Sequence, residues 1–93
     1  MSIPIRLGAQ AHGYCGQILR IDATGLAIPL PAEELERRLL EMGFVEDAHV
    51  EIRHQGLIGR DPIAVRVNGI TVGLRRREAQ AIIVGTEADP IGA

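Results

Sequence analysis

The Asn68-Gly69 pair, set between two runs of alternating aliphatic residues, most constrains what this 93-residue chain can fold into. Asparagine followed by glycine supplies the two positive-φ residues of a type I′ turn, which joins antiparallel strands. A two-residue turn at this point pairs Val67 with Ile70, Val65 with Val72, and Ile63 with Leu74. The sequence therefore predicts a β-hairpin with all six apolar side chains on one face.

A helix and its end are predicted just before the hairpin, in the segment AEELERRLLEMGF of residues 32–44. Its apolar residues fall on one stripe at helical spacing, and its glutamates stand at the favourable N-terminal end. Gly43 is placed to take the left-handed conformation that ends a helix in a Schellman motif, which brings Phe44 against Leu39. We expect one amphipathic helix that stops at Gly43.

The remaining segments are short and extended. Residues 13–22 read as a strand bent near its glycines, residues 48–53 alternate apolar with polar, and residues 75–84 offer one helical turn and a closing strand. Because tight turns join the later strands, a parallel βαβ stack is excluded. The sequence predicts a mainly β fold: a small antiparallel barrel of about five strands with one inserted α-helix and a short C-terminal helical turn.

Length and composition set the domain organisation. A chain of this size buries roughly 60–65% of its unfolded surface, which suffices for one modest core. We expect residues 1–8 to form an N-terminal arm, flexible unless a barrel edge holds it, residues 9–84 to form the barrel domain, and residues 85–93 to be a frayed tail.

Charge, hydrophobicity and cysteine content argue against several function classes. A formal net charge of −2 provides no broad field for nucleic acid or acidic membranes. No apolar run approaches the roughly 18 residues of a membrane span, and the N-terminus lacks a secretory pattern. A single cysteine is typical of a reducing compartment. We expect a cytoplasmic chain that neither spans a membrane nor binds nucleic acid.

Residues with metal or catalytic chemistry are sparse. His12 and Cys15 have ligand chemistry, and His49 and His54 could complete a tetrahedral set. A lone cysteine, however, is more often a small buried hydrophobe than a zinc ligand. The one serine, Ser2, lies in the predicted arm, and nothing in the sequence indicates an activated thiol. We expect no catalytic residue, no metal site and no cofactor.

Two surface segments are candidates for binding a partner. In the loop HQGLIGRDP, the apolar Leu57 and Ile58 stand between glycines, where they either form a contact surface or fold over a barrel end as a lid. The run Arg75–Arg77 either grips a phosphate or acidic surface or is simply solvated. The candidate partner-binding residues are Leu57, Ile58, Arg60, Arg75 and Arg76.

Four segments, RLLEMGF, HVEIR, GRDPIAVRVNG and GLRRREAQAIIV, together resemble the FeoA family of small ferrous-iron-transport accessory proteins, over about residues 10–84. The resemblance rests on a helix stop, a Gly-x-Asp-Pro-Ile segment, an Asn-Gly turn and a Leu-Arg-x-x-Glu-Ala segment. Their key residues are Gly43, Asp61, Pro62, Asn68, Gly69 and Glu78. This sequence departs from the family at Glu46-Asp47, where Pro-Gly is usual. The resemblance implies an SH3-like β-barrel with an inserted helix.

The resemblance also implies a function. Such proteins are cytosolic and non-enzymatic, and act with FeoB, the membrane ferrous-iron transporter that carries a GTP-binding domain. We expect this chain to dock on FeoB through loop residues such as Leu57, Ile58 and Arg60. The alternatives are a metal-responsive module, related to the C-terminal barrel of iron-dependent repressors, and a small RNA-binding barrel. An exposed sheet edge would also allow weak self-association.

Overall fold

A computed structural model describes residues 4–86, which form six strands, two α-helices and one 3₁₀ turn. In chain order these are β1 (Ile5–Arg6), the 3₁₀ turn (Leu7–Ala9), β2 (Cys15–Ile21), α1 (Ala32–Glu41), β3 (His49–Gln55), β4 (Ile63–Val67), β5 (Ile70–Leu74), α2 (Arg76–Ala79) and β6 (Ile82–Thr86). The strands make one sheet in the order β1-β6-β2-β3-β4-β5, with every neighbouring pair antiparallel. The mainly β fold is confirmed, with one more strand than the five or so predicted and with an open sheet in place of a closed barrel.

The predicted hairpin is confirmed in detail. Asn68 and Gly69 have φ angles of 51° and 80°, as a type I′ turn requires. All three predicted residue pairs form between β4 and β5. The hairpin's apolar face is not buried evenly, because β5 is an edge strand of the sheet. Ile70 is therefore 60% exposed, whereas Leu74, at the other end of β5, is buried.

The predicted helix stop also forms. Gly43 has a φ of 104°, in the left-handed region that glycine alone adopts readily. The N–H of Phe44 donates to the carbonyl of Leu39 (3.0 Å), and the N–H of Gly43 donates to that of Leu40 (3.0 Å). These are the two hydrogen bonds of a Schellman motif. Phe44 and Leu39 are both fully buried, so the stop fixes where the chain leaves α1 and enters the core.

Within residues 4–86, one hydrophobic core lies between the sheet and α1. Leu35 and Leu39 of α1 belong to the same buried cluster as the inward aliphatic residues of the strands. The Glu36 carboxylate accepts a hydrogen bond from the N–H of Ala23 (2.9 Å), which ties α1 to the loop after β2. The inserted helix therefore caps the sheet and does not cross between parallel strands.

Irregular pairing bends the sheet. The register shifts between Ile18 and Arg20 in β2 and between Ile52 and His54 in β3, and such bulges increase twist and curvature. The bend in the first long strand thus lies two to four residues beyond Gly16, between Ile18 and Arg20. Gly16 still serves as a point of close approach, since a Cβ atom there would lie 2.5 Å from the carbonyl oxygen of Gly85.

The two ends of the domain differ in part from the prediction. Ile5 and Arg6 pair with β6 as an edge strand, and Leu7 of the following 3₁₀ turn is fully buried, so the sheet edge holds these residues and they do not form a flexible arm. A two-residue strand is too short to show any periodicity, which is why the sequence did not reveal it. At the other end β6 continues through Thr86, into the predicted tail. The predicted arm at residues 1–3, with Ser2, and the tail at residues 87–93 lie outside the described residues.

The loop between α1 and β3 accommodates the departure at Glu46-Asp47. Asp47 has a φ of 72°, in the left-handed region, at the position where the family resemblance leads us to expect glycine. Aspartate is one of the few residues with a side chain that tolerate this conformation. The Asp47 N–H donates to the carbonyl of Ile18 (2.8 Å), so the turn holds its place against β2.

The helix stop yields a stability prediction. Gly43→Val forces a β-branched residue into the left-handed region and should lower the free energy of unfolding by about 1–3 kcal/mol, measured by urea denaturation. The cost lies in the backbone, because a Cβ atom at Gly43 would make only ordinary contacts at 3.7 Å or more.

Gly43→Asn is the matched control. Asparagine tolerates the left-handed region, so it should lose clearly less stability than valine. Equal losses for the two variants would show that the positive φ does not set the cost.

Candidate functional site

The segment that joins β3 to β4, residues 56–62, is called the β3-β4 loop, and its two ends lie close together and form a neck. The N–H of Gly56 donates to the carbonyl of Pro62 (2.9 Å). A Cβ atom at Gly56 would collide with the Asp61 carbonyl, so this close approach requires glycine. Gly59 and Arg60 turn the chain back with φ angles of 68° and 57°, and the Asp61-Pro62 peptide is cis. Main-chain contacts and the glycine at position 56 thus set the shape of the neck.

The tip of the β3-β4 loop is apolar and lies fully in solvent. Leu57 is 100% exposed and Ile58 is 90% exposed. Of the two possibilities that the sequence left open, the structure therefore excludes a lid folded over the barrel end. Two adjacent aliphatic side chains held on a constrained loop form a surface suited to insertion into a partner's apolar pocket.

Arg76 holds the neck of the loop in place. Its Nε donates to the carbonyl of Arg60 (2.7 Å), its Nη1 to the carbonyls of Gly8 (3.1 Å) and Gln10 (2.6 Å), and its Nη2 to Oε1 of Gln55 (3.0 Å). A guanidinium has five N–H donors in a fixed plane, and four hydrogen bonds occupy most of them. The structure thus departs from the prediction of Arg76 as a partner-binding residue: its charge is engaged within the molecule.

The two acidic residues of the family motifs also have structural roles. Oδ1 of Asp61 accepts a hydrogen bond from the N–H of Arg76 (2.9 Å), and Oε1 of Glu78 accepts one from the N–H of Arg75 (3.0 Å). Both carboxylates therefore satisfy N–H groups at the start of α2, which have no partner within the helix. Since an arginine side chain has no acceptor, only the glutamate half of a capping box exists here.

The other predicted partner-binding arginines are accessible. Arg60 and Arg75 are exposed, and so is Arg77, the third residue of the arginine run. Arg60 lies on the β3-β4 loop, two residues beyond the apolar tip, and helps line a shallow pocket of about 240 Å³ with Arg76 and residues 8–11. Arg60 and the apolar tip therefore lie on the same loop. In the run of residues 75–77, the Arg76 side chain is engaged within the molecule, whereas those of Arg75 and Arg77 are exposed.

The predicted set of possible metal ligands is split. The Nε2 of His12 lies 2.7 Å from the carbonyl of Arg53, and its ring stacks on that of His54 with centroids 6.5 Å apart. Cys15 and His49 come together elsewhere, and Glu51 joins them. Sequence reasoning missed Glu51, because only the strand register between β2 and β3 shows that it faces Cys15.

The comparison with protein families decides the identity. Residues 9–85 match the model of the FeoA domain. The chain belongs to the FeoA family. This family is linked to ferrous iron transport, and its members are small SH3-like proteins. Within the described residues, 4–86, neither α-helix is long and apolar enough to cross a membrane.

Solved structures share the fold over most of the chain. A FeoA-like protein from Clostridium acetobutylicum has 26% identity and a TM-score of 0.73, with 94% of this chain and 91% of that one covered. Stenotrophomonas maltophilia FeoA complexed with zinc, described as a prokaryotic SH3 domain protein, has 23% identity and a TM-score of 0.69, covering 87% and 89%. A manganese-dependent transcriptional repressor has 25% identity and a TM-score of 0.69, covering 91% and 44%. Comparison with curated proteins gives no match.

The role of Arg76 can be tested directly. Arg76→Ala should lower the free energy of unfolding by roughly 2–3 kcal/mol, because it leaves carbonyl groups at the neck without their donor. Arg76→Lys should recover little of this loss, since an ammonium cannot reach four acceptors spread over a planar fork. Urea denaturation measures both.

Arg77→Ala is the matched control, because it removes the same side chain from an exposed position one residue away. It should change stability by no more than about 0.5 kcal/mol. If Arg76→Ala were as mild as Arg77→Ala, the hydrogen bonds at the neck would not stabilise the fold.

Proposed function

We propose that this FeoA-family protein is a cytosolic, non-enzymatic accessory of ferrous iron uptake, and that it docks on the cytosolic, GTP-binding part of a FeoB-type membrane transporter. The single observation that carries the proposal is the β3-β4 loop, whose neck is held by hydrogen bonds while its apolar tip lies fully in solvent. Family membership gives the transport system in which such a surface would act.

The energetics of the tip suit a docking contact. Moving an exposed leucine or isoleucine into an apolar pocket gains about 1.5–3 kcal/mol for each side chain. Binding normally also carries the cost of ordering a mobile segment, and a constrained loop reduces that cost. The Arg76 hydrogen bonds to Arg60 and Gln55 provide the constraint. Two side chains on a fixed loop can therefore supply much of the free energy of a modest complex.

Arg60 can set the orientation of the bound partner. It is exposed and lies at the base of the same loop, so its charge can meet an acidic group at the rim of the partner's pocket. Rim charges mainly raise the association rate and select the orientation. Docking would bias the conformation or assembly of the transporter, to which the iron and nucleotide chemistry belongs. For the Stenotrophomonas maltophilia relative, a role as a ferrous iron transport activating factor has been suggested, which agrees with this scheme.

The test is a loop variant with two charges. Leu57→Asp combined with Ile58→Asp should weaken binding to the cytosolic domain of the transporter by at least about 100-fold, the equivalent of losing two apolar contacts. Titration by biolayer interferometry measures the affinity, and co-purification from membrane extract and ferrous uptake in cells give independent readouts. Folding should be unaffected, since both residues are exposed.

Ile70→Asp is the matched control. Ile70 is also an exposed aliphatic residue, 60% accessible, but it follows the hairpin turn at the opposite end of β4. Its variant should bind normally. Retained binding and uptake in the loop variant, or an equal loss in both variants, would refute docking through this loop.

Similarity to the manganese-dependent repressor supports a second candidate function, a regulatory barrel whose partner binding responds to a metal ion. This chain spans less than half the length of that protein. A metal chelator distinguishes the two functions. Partner binding that persists in its presence supports the transport accessory, and partner binding that it abolishes supports the metal-responsive regulatory barrel. The RNA-binding alternative has less support, because Arg76 is engaged internally and leaves only Arg75 and Arg77 exposed.

A further inference from the structure

Three side chains with metal-ligand chemistry converge on the outer face of the β2-β3 pair. The antiparallel register places Cys15 opposite Glu51 and Gln17 opposite His49. Residues two apart on a strand share a face, so His49 and Glu51 both lie on the side of Cys15. Their neighbour Val50 points the other way, into the core. The cluster is therefore a consequence of strand pairing and not of a flexible loop.

The distances within the cluster are close to those of a coordination sphere. The ligand atoms, Sγ of Cys15, an imidazole nitrogen of His49 and a carboxylate oxygen of Glu51, all lie within 4.8 Å of one another. Bonds of about 2.0–2.3 Å in a tetrahedral site put ligand atoms roughly 3.5 Å apart. Side-chain rotations that move each atom by about an ångström would close the gap.

The backbone beneath the cluster is well held. The N–H of Ile52 donates to the carbonyl of Tyr14 (2.9 Å), and the N–H of Gly13 donates to the carbonyl of Ile52 (2.9 Å), on one side of the cluster. On the other side the N–H of Ile18 donates to the carbonyl of Ala48 (2.9 Å). The three Cα positions are thus fixed before any ion arrives, and binding would order only side chains.

We propose that Cys15, His49 and Glu51 bind one divalent transition-metal ion of the borderline class, such as Zn²⁺ or Fe²⁺. A thiolate and an imidazole favour such ions over Mg²⁺ and Ca²⁺, which prefer oxygen ligands. Three protein ligands leave the fourth tetrahedral position to water or to a ligand from another molecule. Cys15 and His49 are exposed, so an ion in solution can reach them.

Two arginines near the cluster would repel a bound cation, but they do not prevent its binding. Nη1 of Arg53 lies 3.7 Å from Oε1 of Glu51, and Arg66 stands opposite Glu51 on β4. The Arg53 contact joins two partly exposed side chains, 43% and 31% accessible, and such ion pairs are weak. A metal ion bound also by thiolate and imidazole can displace it. The neighbouring positive charge favours an exchangeable site over a permanent structural one.

The experiment is a titration of the whole chain with Co²⁺ under argon, with a phosphine reductant. The expected result is one Co²⁺ per chain, with sulfur-to-cobalt charge-transfer absorption in the near ultraviolet and visible bands typical of tetrahedral cobalt. Zn²⁺ should remove both signals, and excess Mg²⁺ should remove neither. Cys15→Ser should abolish the charge-transfer band, and His49→Gln or Glu51→Gln should weaken binding by at least about tenfold, since even outer-shell changes cost that much.

His54→Gln is the matched control, because His54 is an exposed histidine of the same strand that stacks on His12 outside the cluster. Its affinity for Co²⁺ should equal that of the natural sequence. Absence of the charge-transfer band, or its survival in Cys15→Ser, would overturn the proposal. So would an equal loss in His54→Gln and His49→Gln. Leu57 and Ile58 take no part in the cluster, so the result is independent of the test of docking.

Discussion

The hydrogen bonds of the Arg76 guanidinium are the interaction on which the rest of the structure depends. The sheet is open, with β1 and β5 at its two edges, and the 3₁₀ turn after β1 packs on α2 after β5 to span the opening. Gly8 permits this approach, since a side chain there would collide with the backbone of Arg76. The same guanidinium binds the Arg60 carbonyl. One side chain thus links the segments that follow the two edge strands and fixes the loop that carries the apolar tip.

The parts of the fold that the sequence predicted are those set by neighbouring residues. The Asn68-Gly69 turn determines the register of its own hairpin, and Gly43 determines how α1 ends, because the atoms involved lie within a few positions of one another. Asp61 and Glu78 were recognised only as members of family motifs. Their physical role, which is to accept the N–H groups at the start of α2, required the folded chain.

The parts that sequence reasoning missed depend on contacts between distant segments. Arg76 binds main-chain carbonyls 66 and 68 positions away, and since every residue has a carbonyl, no residue type reveals such a partner. Cys15 meets Glu51 only once the register of β2 against β3 is known. The sequence likewise does not show whether Leu57 and Ile58 are exposed. A lid and a protruding tip use the same residues and differ only in the direction in which the neck of the loop points them.

We propose that the fixed β3-β4 loop, and no other exposed apolar residue of the described chain, makes the first contact with the transporter. Methyl-resolved NMR of this chain, titrated with the cytosolic domain of a FeoB-type transporter, tests it most directly. Shifts and broadening confined to the methyl groups of Leu57 and Ile58 would support the claim. Perturbation of Leu40 or Ile70, both exposed on other parts of the surface, with the loop methyl groups unchanged, would contradict it.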